Sequence, residues 1–113
     1  MTATLDYSKT YGGNPQIVLK GATPQVTAWA GAIDITSPIT HIVTDGADAF
    51  TLADGIEWQE KFIVMKTDLG DGTLTPTNLG NGTTITFDDA GDSAHLIFTN
   101  AARYFMGGTA TLA

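Results

Sequence analysis

Three aspartates crowd one turn in the sequence, Asp88, Asp89 and Asp92 in "DDAGD". Carboxylate oxygens this close together are what a hard cation such as calcium requires. The stretch lacks the longer alternation and closing glutamate of an EF-hand loop, and Asp and Gly are ordinary residues of tight turns. A plain turn is the expectation, with no metal site assigned. Ser93 and His95 follow at once. Two apart on a strand, they share a face, as a nucleophile and its base would need, but no nucleophile elbow surrounds the serine. Glu57 and Glu60 flank Trp58, a grouping suggestive of a glycosidase cleft. Residues three apart on a strand point to opposite sides, so the two carboxylates do not converge. His41 and His95 offer two imidazoles, and two ligands do not make a zinc site. The chain has no cysteine, which removes thiolate zinc sites, cysteine nucleophiles and a disulfide scaffold. The glycines of "LGNG" and "GDG" are turn glycines, since no strand-to-helix phosphate loop contains them. The expectation is a non-enzymatic protein without a cofactor.

The remaining residues with chemical reach are those that anchor partners. Tyr7, Tyr11, Trp29, Trp58, Arg103 and Tyr104 are the candidate partner-binding residues. Aromatic and arginine side chains carry much of the energy at interfaces, although the common fate of tryptophan is core or interface. Twelve acidic residues stand against five basic ones, giving a net charge of −7. That balance excludes a nucleic-acid footprint and disfavours an anionic membrane surface. Charged residues make up only 15% of the chain, below the quarter or so of an ordinary domain, and additional surface buried in a homo-oligomer would account for it. The first residues, "MTATLDYSKTYGG", carry no basic segment followed by an apolar one, so no secretory signal is expected. No stretch reaches transmembrane length.

The elements that must position these residues read as strands. The chain length of 113 residues suits one domain. Residues 1–16 are polar and turn-prone, with a break at "YGGNP", and read as an extended N-terminal arm; residues 17–113 read as a single β domain. "QVTAWAGAIDI" alternates weakly, and Gly31 marks a bulge or bend. In "ITHIV", Ile39, His41 and Val43 share a face. Asp45-Gly46 and Asp54-Gly55 are hairpin signals. "EKFIVMK" is apolar on both faces, with Phe62 and Val64 opposite Ile63 and Met65, which predicts a central strand whose second face lies under a loop or a neighbouring subunit. From there strands recur at intervals of roughly ten residues, with Thr83, Ile85 and Phe87, then Ala94, Leu96 and Phe98, facing the core. No window has helical periodicity, and no repeat of solenoid kind is present. The expected class is all-β: an antiparallel β-sandwich or jelly-roll-like barrel.

Read together, "DGIEWQEKFIVMKTD", "TPTNLGNGTTITFDDAGDSAHLIFTN" and the tyrosine-bearing strand after them resemble a β-rich module of tailed-bacteriophage virion proteins, especially of marine and cyanobacterial phages. The resemblance spans roughly Asp54 to Gly108. It implies a structural or host-contact part of a phage particle and assigns no catalytic residue. The chain is short for a whole fibre and fits a small capsid decoration (cement) protein. Its expected partner is the major capsid protein, its expected state a homotrimer, and its expected location the virion surface. The alternative is a trimeric tail-fibre or receptor-binding module in which Trp29, Trp58, Tyr104 and exposed threonines contact a host glycan.

Overall fold

The computed structural model describes residues 25–99 and 101–113, and within residues 1–24 the backbone of four short strands. Of these, β1 (Thr4–Asp6) pairs antiparallel with β4 (Val18–Lys20), and β2 (Thr10–Tyr11) with β3 (Asn14–Pro15). Gln16 and Ile17 lie outside the described residues, and with them the expected boundary between arm and domain.

From Gln25 onward the chain builds two facing five-stranded sheets. The first contains β5 (Gln25–Ala28), β7 (Ile39–Val43), β9 (Glu60–Thr67), β12 (Ser93–Thr99) and β13 (Ala102–Gly107). The second contains β6 (Gly31–Ile33), β8 (Asp48–Leu52), β10 (Gly72–Pro76), β11 (Ile85–Phe87) and β14 (Thr111–Leu112). The spatial orders are β13-β12-β9-β7-β5 and β14-β11-β10-β8-β6. The all-β expectation therefore holds, and β9 is the middle strand of its sheet.

Both sheets are mixed, which corrects the antiparallel expectation. β5, β7 and β9 run parallel, as do β6, β8 and β10. The chain alternates between sheets, so β5–β6, β7–β8 and β9–β10 stack as three rungs. β11 to β14 then complete the sheets by antiparallel pairing. The misleading signals were the Asp-Gly pairs. A two-residue hairpin of the primed type needs glycine at positive φ, and neither Gly46 nor Gly55 adopts it. Asp45-Gly46 instead arches from the first sheet to the second, and Asp54-Gly55 lies on the long return to the first. The rungs are invisible as a repeat because their connections differ in length: rungs begin at Gln25, Ile39 and Glu60. Within "QVTAWAGAIDI", Trp29 and Ala30 take φ of 60° and 79°, ending one strand and aiming the next at the opposite sheet.

Alternation sorts the residues between the faces. Ile42, Ile63, Met65 and Leu96 of the first sheet meet Phe50, Leu52, Leu74, Ile85 and Phe87 of the second, all fully buried. Burial of this kind stabilises by about 25 cal/mol per Å² of apolar surface and is the main force holding the sheets together.

The arches at the upper end, where β7 and β9 leave the first sheet, are locked by Thr44. Its buried hydroxyl donates to the Gly70 carbonyl at 2.7 Å and accepts from the Leu69 amide at 3.1 Å. Gly70, at φ 152°, lies against Gly46; a Cβ there would stand 2.3 Å from the Gly46 carbonyl carbon. A Cβ on Gly46 meets nothing within 4 Å. Gly70→Ala should thus lower the unfolding free energy by at least about 2 kcal/mol, whereas Gly46→Ala changes it by about 0.5 kcal/mol or less. Urea denaturation of the two variants measures the contrast.

Candidate functional site

At the lower end of the sandwich three segments meet: residues 34–38, 53–59 and 77–84. Each connects strands and carries backbone groups that strand pairing leaves unused, and these must find partners. Two buried cations supply them. Lys61, on the inner face of β9 and 1% exposed, donates through Nζ to the Asp34 carbonyl at 2.6 Å and to the Ser37 carbonyl. Arg103, on β13 and equally buried, donates through Nη2 to the Ala53 carbonyl at 2.9 Å, and its guanidinium carbon lies 5.5 Å from the Phe98 ring centroid. Its Nη1 has no hydrogen-bond partner among the described residues. Burial lowers the Lys61 pKa to about 8; Asp34 opposes that shift and Arg103 adds to it. Burial also lowers the pKa of Arg103, with Asp54 opposing. Asp34 is held at about 2, first by the Thr36 amide and then by the Thr36 hydroxyl.

The segment 53–59 is rigidly held. Gln59 donates its side-chain amide to the Ile35 carbonyl at 2.7 Å and accepts from the Ile56 amide at 3.3 Å. The Trp58 amide donates to the Phe98 carbonyl at 2.6 Å, and the Gln59 amide to the Ile56 carbonyl at 2.9 Å. Trp58 sits at φ 71°, a left-handed conformation uncommon for a bulky residue, and its side chain is 68% exposed. Ile56 beside it is also exposed. Sequence reasoning singled out Trp58 but could not see that the turn presents it outward.

Next to this segment the stretch "TPTNLGNGT", Thr75 to Thr83, folds into an open cavity of about 320 Å³, lined by Thr75, Pro76, Thr77, Asn78, Leu79, Gly82 and Thr83. The sequence reading treated these residues as turn and strand only. The Asn78 side-chain amide bridges both oxygens of Asp54 at 2.9 and 2.8 Å, tying the cavity to the Trp58 segment. Backbone bonds fix the wall: Gly80 to the Arg103 carbonyl, Arg103 to the Asn78 carbonyl, and Thr83 to the Ala113 carbonyl. Tyr104, half-buried, packs its ring over Gly80, where a Cβ would come within 2.6 Å of it.

The other expected site residues are dispersed. Trp29 is exposed at the upper end, across the length of the sheet from Trp58. Tyr7 and the side chain of Tyr11 lie outside the described residues. Arg103 is interior and serves the frame. His95 and Ser93 do share a face, yet the imidazole is committed elsewhere: it stacks on Phe62 with centroids 4.3 Å apart, and its Nε2 lies 2.8 Å from a Glu60 oxygen. His41 lies on the same face, two strands away, with β9 between.

Asp88, Asp89 and Asp92 do come together, with ligand atoms within 4.8 Å of one another. The arrangement works as a turn lock, because one Asp92 oxygen accepts from the amides of Asp88 and Asp89 at 3.0 and 3.1 Å. Burial raises the Asp92 pKa, but the Asp88 amide, the Asp88 carboxyl and the Asp89 amide together bring it below the ordinary value. Asp88 is raised, chiefly by its hydrogen bond to Asp92.

No protein-family model matches the chain, and no curated protein sequence is significantly similar to it.

The buried lysine makes stability depend on alkaline pH. Its pKa is about 8 folded against 10.5 for a free lysine, so between these values the unfolded chain holds a proton that the folded one has lost. Stability rises with pH wherever the unfolded state binds more protons. Lys61 therefore contributes a rise between about pH 8 and 10.5. The stability of the wild type relative to Lys61→Met should climb across that window and be flat below it, as read by urea denaturation at each pH.

Proposed function

We propose that this protein is a bacteriophage capsid decoration protein, a non-catalytic homotrimer that bridges major capsid protein subunits on the virion surface. The observation that carries the reading is the outward face of the first sheet. A solvated sheet face is ordinarily polar. Here it bears Val26, Ile39, Val43, Phe62, Val64 and Ile97 around the Phe62–His95 stack, with Val26 57% and Phe62 43% exposed. Glu60 and Lys66 balance on that face, while most other acidic residues lie on arches and turns. A second copy of the chain is the partner it suits, since a near-neutral apolar surface avoids the like-charge repulsion that the rest of the surface would impose.

The end loops then remain for the capsid. Trp29 and Leu69 project from the upper end, Ile56 and Trp58 from the lower. Exposed aromatics on held turns are suited to be anchors, because little conformational freedom is lost on binding. A trimer multiplies such contacts and opposes outward pressure through avidity. The jelly-roll-like closure and the extended N-terminal arm belong to the same reading, the arm being the element that reaches a neighbouring subunit.

A second reading is a tail-fibre or receptor-binding module that contacts a host glycan. One observation favours it, the exposed Trp58 on a segment whose Asp54 is bonded by Asn78 of the threonine-lined cavity.

Quantitative peptide mass spectrometry of purified particles tests the first reading. A copy number equal to that of the major capsid protein, or a simple fraction of it, is expected; a handful of copies per particle would move the chain to the tail, and absence would remove it from the virion. Sedimentation of the isolated protein should show a trimer that Phe62→Glu dissociates, since a charge placed in an apolar interface is unpaired.

A further inference from the structure

We infer that the open edge of β5 is the docking site for the N-terminal hairpin of a second copy of this chain, which adds to the first sheet by backbone pairing. The inference deepens the homo-oligomeric part of the capsid reading and rests on it for the presence of a second copy.

The first argument is the contrast between the two ends of the first sheet. An edge strand presents unpaired amides and carbonyls, and proteins cover or blunt such edges. At the β13 end the edge is covered. The Arg103 amide donates to the Asn78 carbonyl at 2.7 Å, and the Gly80 amide to the Arg103 carbonyl at 2.7 Å. The Asn81 side chain then takes the place of a strand, donating to the Phe105 carbonyl at 2.9 Å and accepting from the Phe105 amide at 3.0 Å. At the other end β5 is the last strand, and among the described residues no backbone group bonds to its outer side. The Trp29 amide donates to the Val43 carbonyl, so by alternation Val26 and Ala28 turn their backbone groups away from β7. No blunting device replaces a cover: "QVTAWAGA", Gln25 to Ala32, has no charged residue and no proline, and Val26 is 57% and Trp29 66% exposed. The Thr27 hydroxyl, on the inner face of the same strand, is buried without a hydrogen-bond partner among the described residues. A buried unsatisfied group calls for a partner, and the side of β5 away from β7 is where one has room to enter.

The second argument is the hairpin. β1 pairs with β4 and β2 with β3 in nested antiparallel order, as the arms of one hairpin, and neither five-stranded sheet includes them. A lone two-stranded hairpin is at best marginally stable in water, and a further strand is what stabilises it. The edge lacks a strand and the hairpin lacks a sheet, so each supplies what the other needs. Only four residues separate Lys20 from Gln25. Pro24 biases Thr23 toward an extended backbone, so the connection favours running on over doubling back onto its own β5. A short, constrained connection favours exchange of the element between copies.

The third argument is charge. Residues 1–24 hold two lysines and one aspartate, net +1, whereas residues 25–113 hold three basic and eleven acidic residues, net −8. Two such bodies repel, while the arm of one is drawn to the body of the other. The docking strand itself is uncharged, so pairing there buries no ion. Val26 also belongs to the apolar outer face, and an added hairpin continues that face. The contact is heterologous, hairpin to edge, and a closed ring of three copies fills every edge.

Amide hydrogen exchange on the full-length protein, read residue by residue by NMR, tests the inference. The Val26 and Ala28 amides should exchange at least about tenfold more slowly in the wild type than in Leu19→Pro, whose proline breaks β4. Ala28→Pro blocks the edge instead, because the amide it removes faces outward and the β5–β7 ladder is spared. Mixing labelled Leu19→Pro, which keeps the edge, with unlabelled Ala28→Pro, which keeps the hairpin, should restore the protection of the labelled chain. Equal exchange in the wild type and Leu19→Pro would overturn the site. Protection that mixing fails to restore would overturn the second copy as occupant, since the hairpin then fills the edge of its own chain. The core amides of Ile63 and Met65 report folding, and Ala28→Lys serves as the edge block if the proline variant unfolds. Sedimentation separates this contact from the trimer reading. A wild-type trimer with unprotected Val26 and Ala28 overturns the exchange and leaves the trimer standing, whereas a dimer with both amides protected does the reverse.

Discussion

The frame depends on how its chain crosses between sheets. A rung that alternates from sheet to sheet must turn at both ends, and each turn faces the interior with carbonyls that no neighbouring strand can bond. At the lower end Lys61 and Arg103 reach the carbonyls of Asp34, Ser37 and Ala53 from within the sandwich. At the upper end Thr44 bonds the Thr67 carbonyl through its amide and the Gly70 carbonyl through its hydroxyl. Placing ammonium and guanidinium groups inside a protein is costly, and the cost is offset where each is hydrogen-bonded and an opposing carboxylate is near. Asp34 and Asp54 lie near enough to raise the two pKa values against burial.

This explains what could and could not be read from sequence. The two-faced apolar pattern of "EKFIVMK" identified a central strand, and β9 is one. Ile85, Phe87, Ala94, Leu96 and Phe98 are buried as their alternation requires, but Thr83, expected to face the core with them, is exposed because the strand begins only at Ile85. These are local patterns, set by the period-two geometry of a strand. The parallel pairing was not legible because direction is fixed by connections, and an Asp-Gly pair serves a hairpin and an arch alike. Strand parity did not apply to Glu57 and Glu60, since Glu60 lies on β9 and Glu57 on the exposed loop before it. The cavity was missed because its residues are turn formers, and only pairing with Arg103 and Ala113 shapes them into a wall. Burial of Arg103 was likewise hidden, since an arginine on a strand reads as exposed until the strand's inward face is known.

Interior placement of the two cations has a consequence at the surface. Among the described residues many carboxylates are exposed against Lys66, so the surface field is negative over most of them. Like-charge repulsion from a surface of this kind is weakest where it is locally neutral. Two regions meet that condition in different ways. The outer face of the first sheet is broad, apolar and near-neutral, with side chains on regular strands. The cavity at the lower end is small, open and lined in part by threonines, with Asp54 bonded to its Asn78.

The difference in shape decides between occupants. A flat apolar face contributes to binding in proportion to the area removed from water, which calls for another extended surface. A small open cavity lined by Thr75, Thr77, Asn78 and Thr83 offers little area for a protein partner. The rung architecture keeps the two apart, because strands carry the face and the connections at the lower end carry the cavity. Gln59 links them: it follows Trp58, precedes β9, and bonds its side chain to Ile35. The central strand that presents Phe62 therefore begins at the turn that presents Trp58, so the apolar face and the lower-end turn are held by one continuous segment.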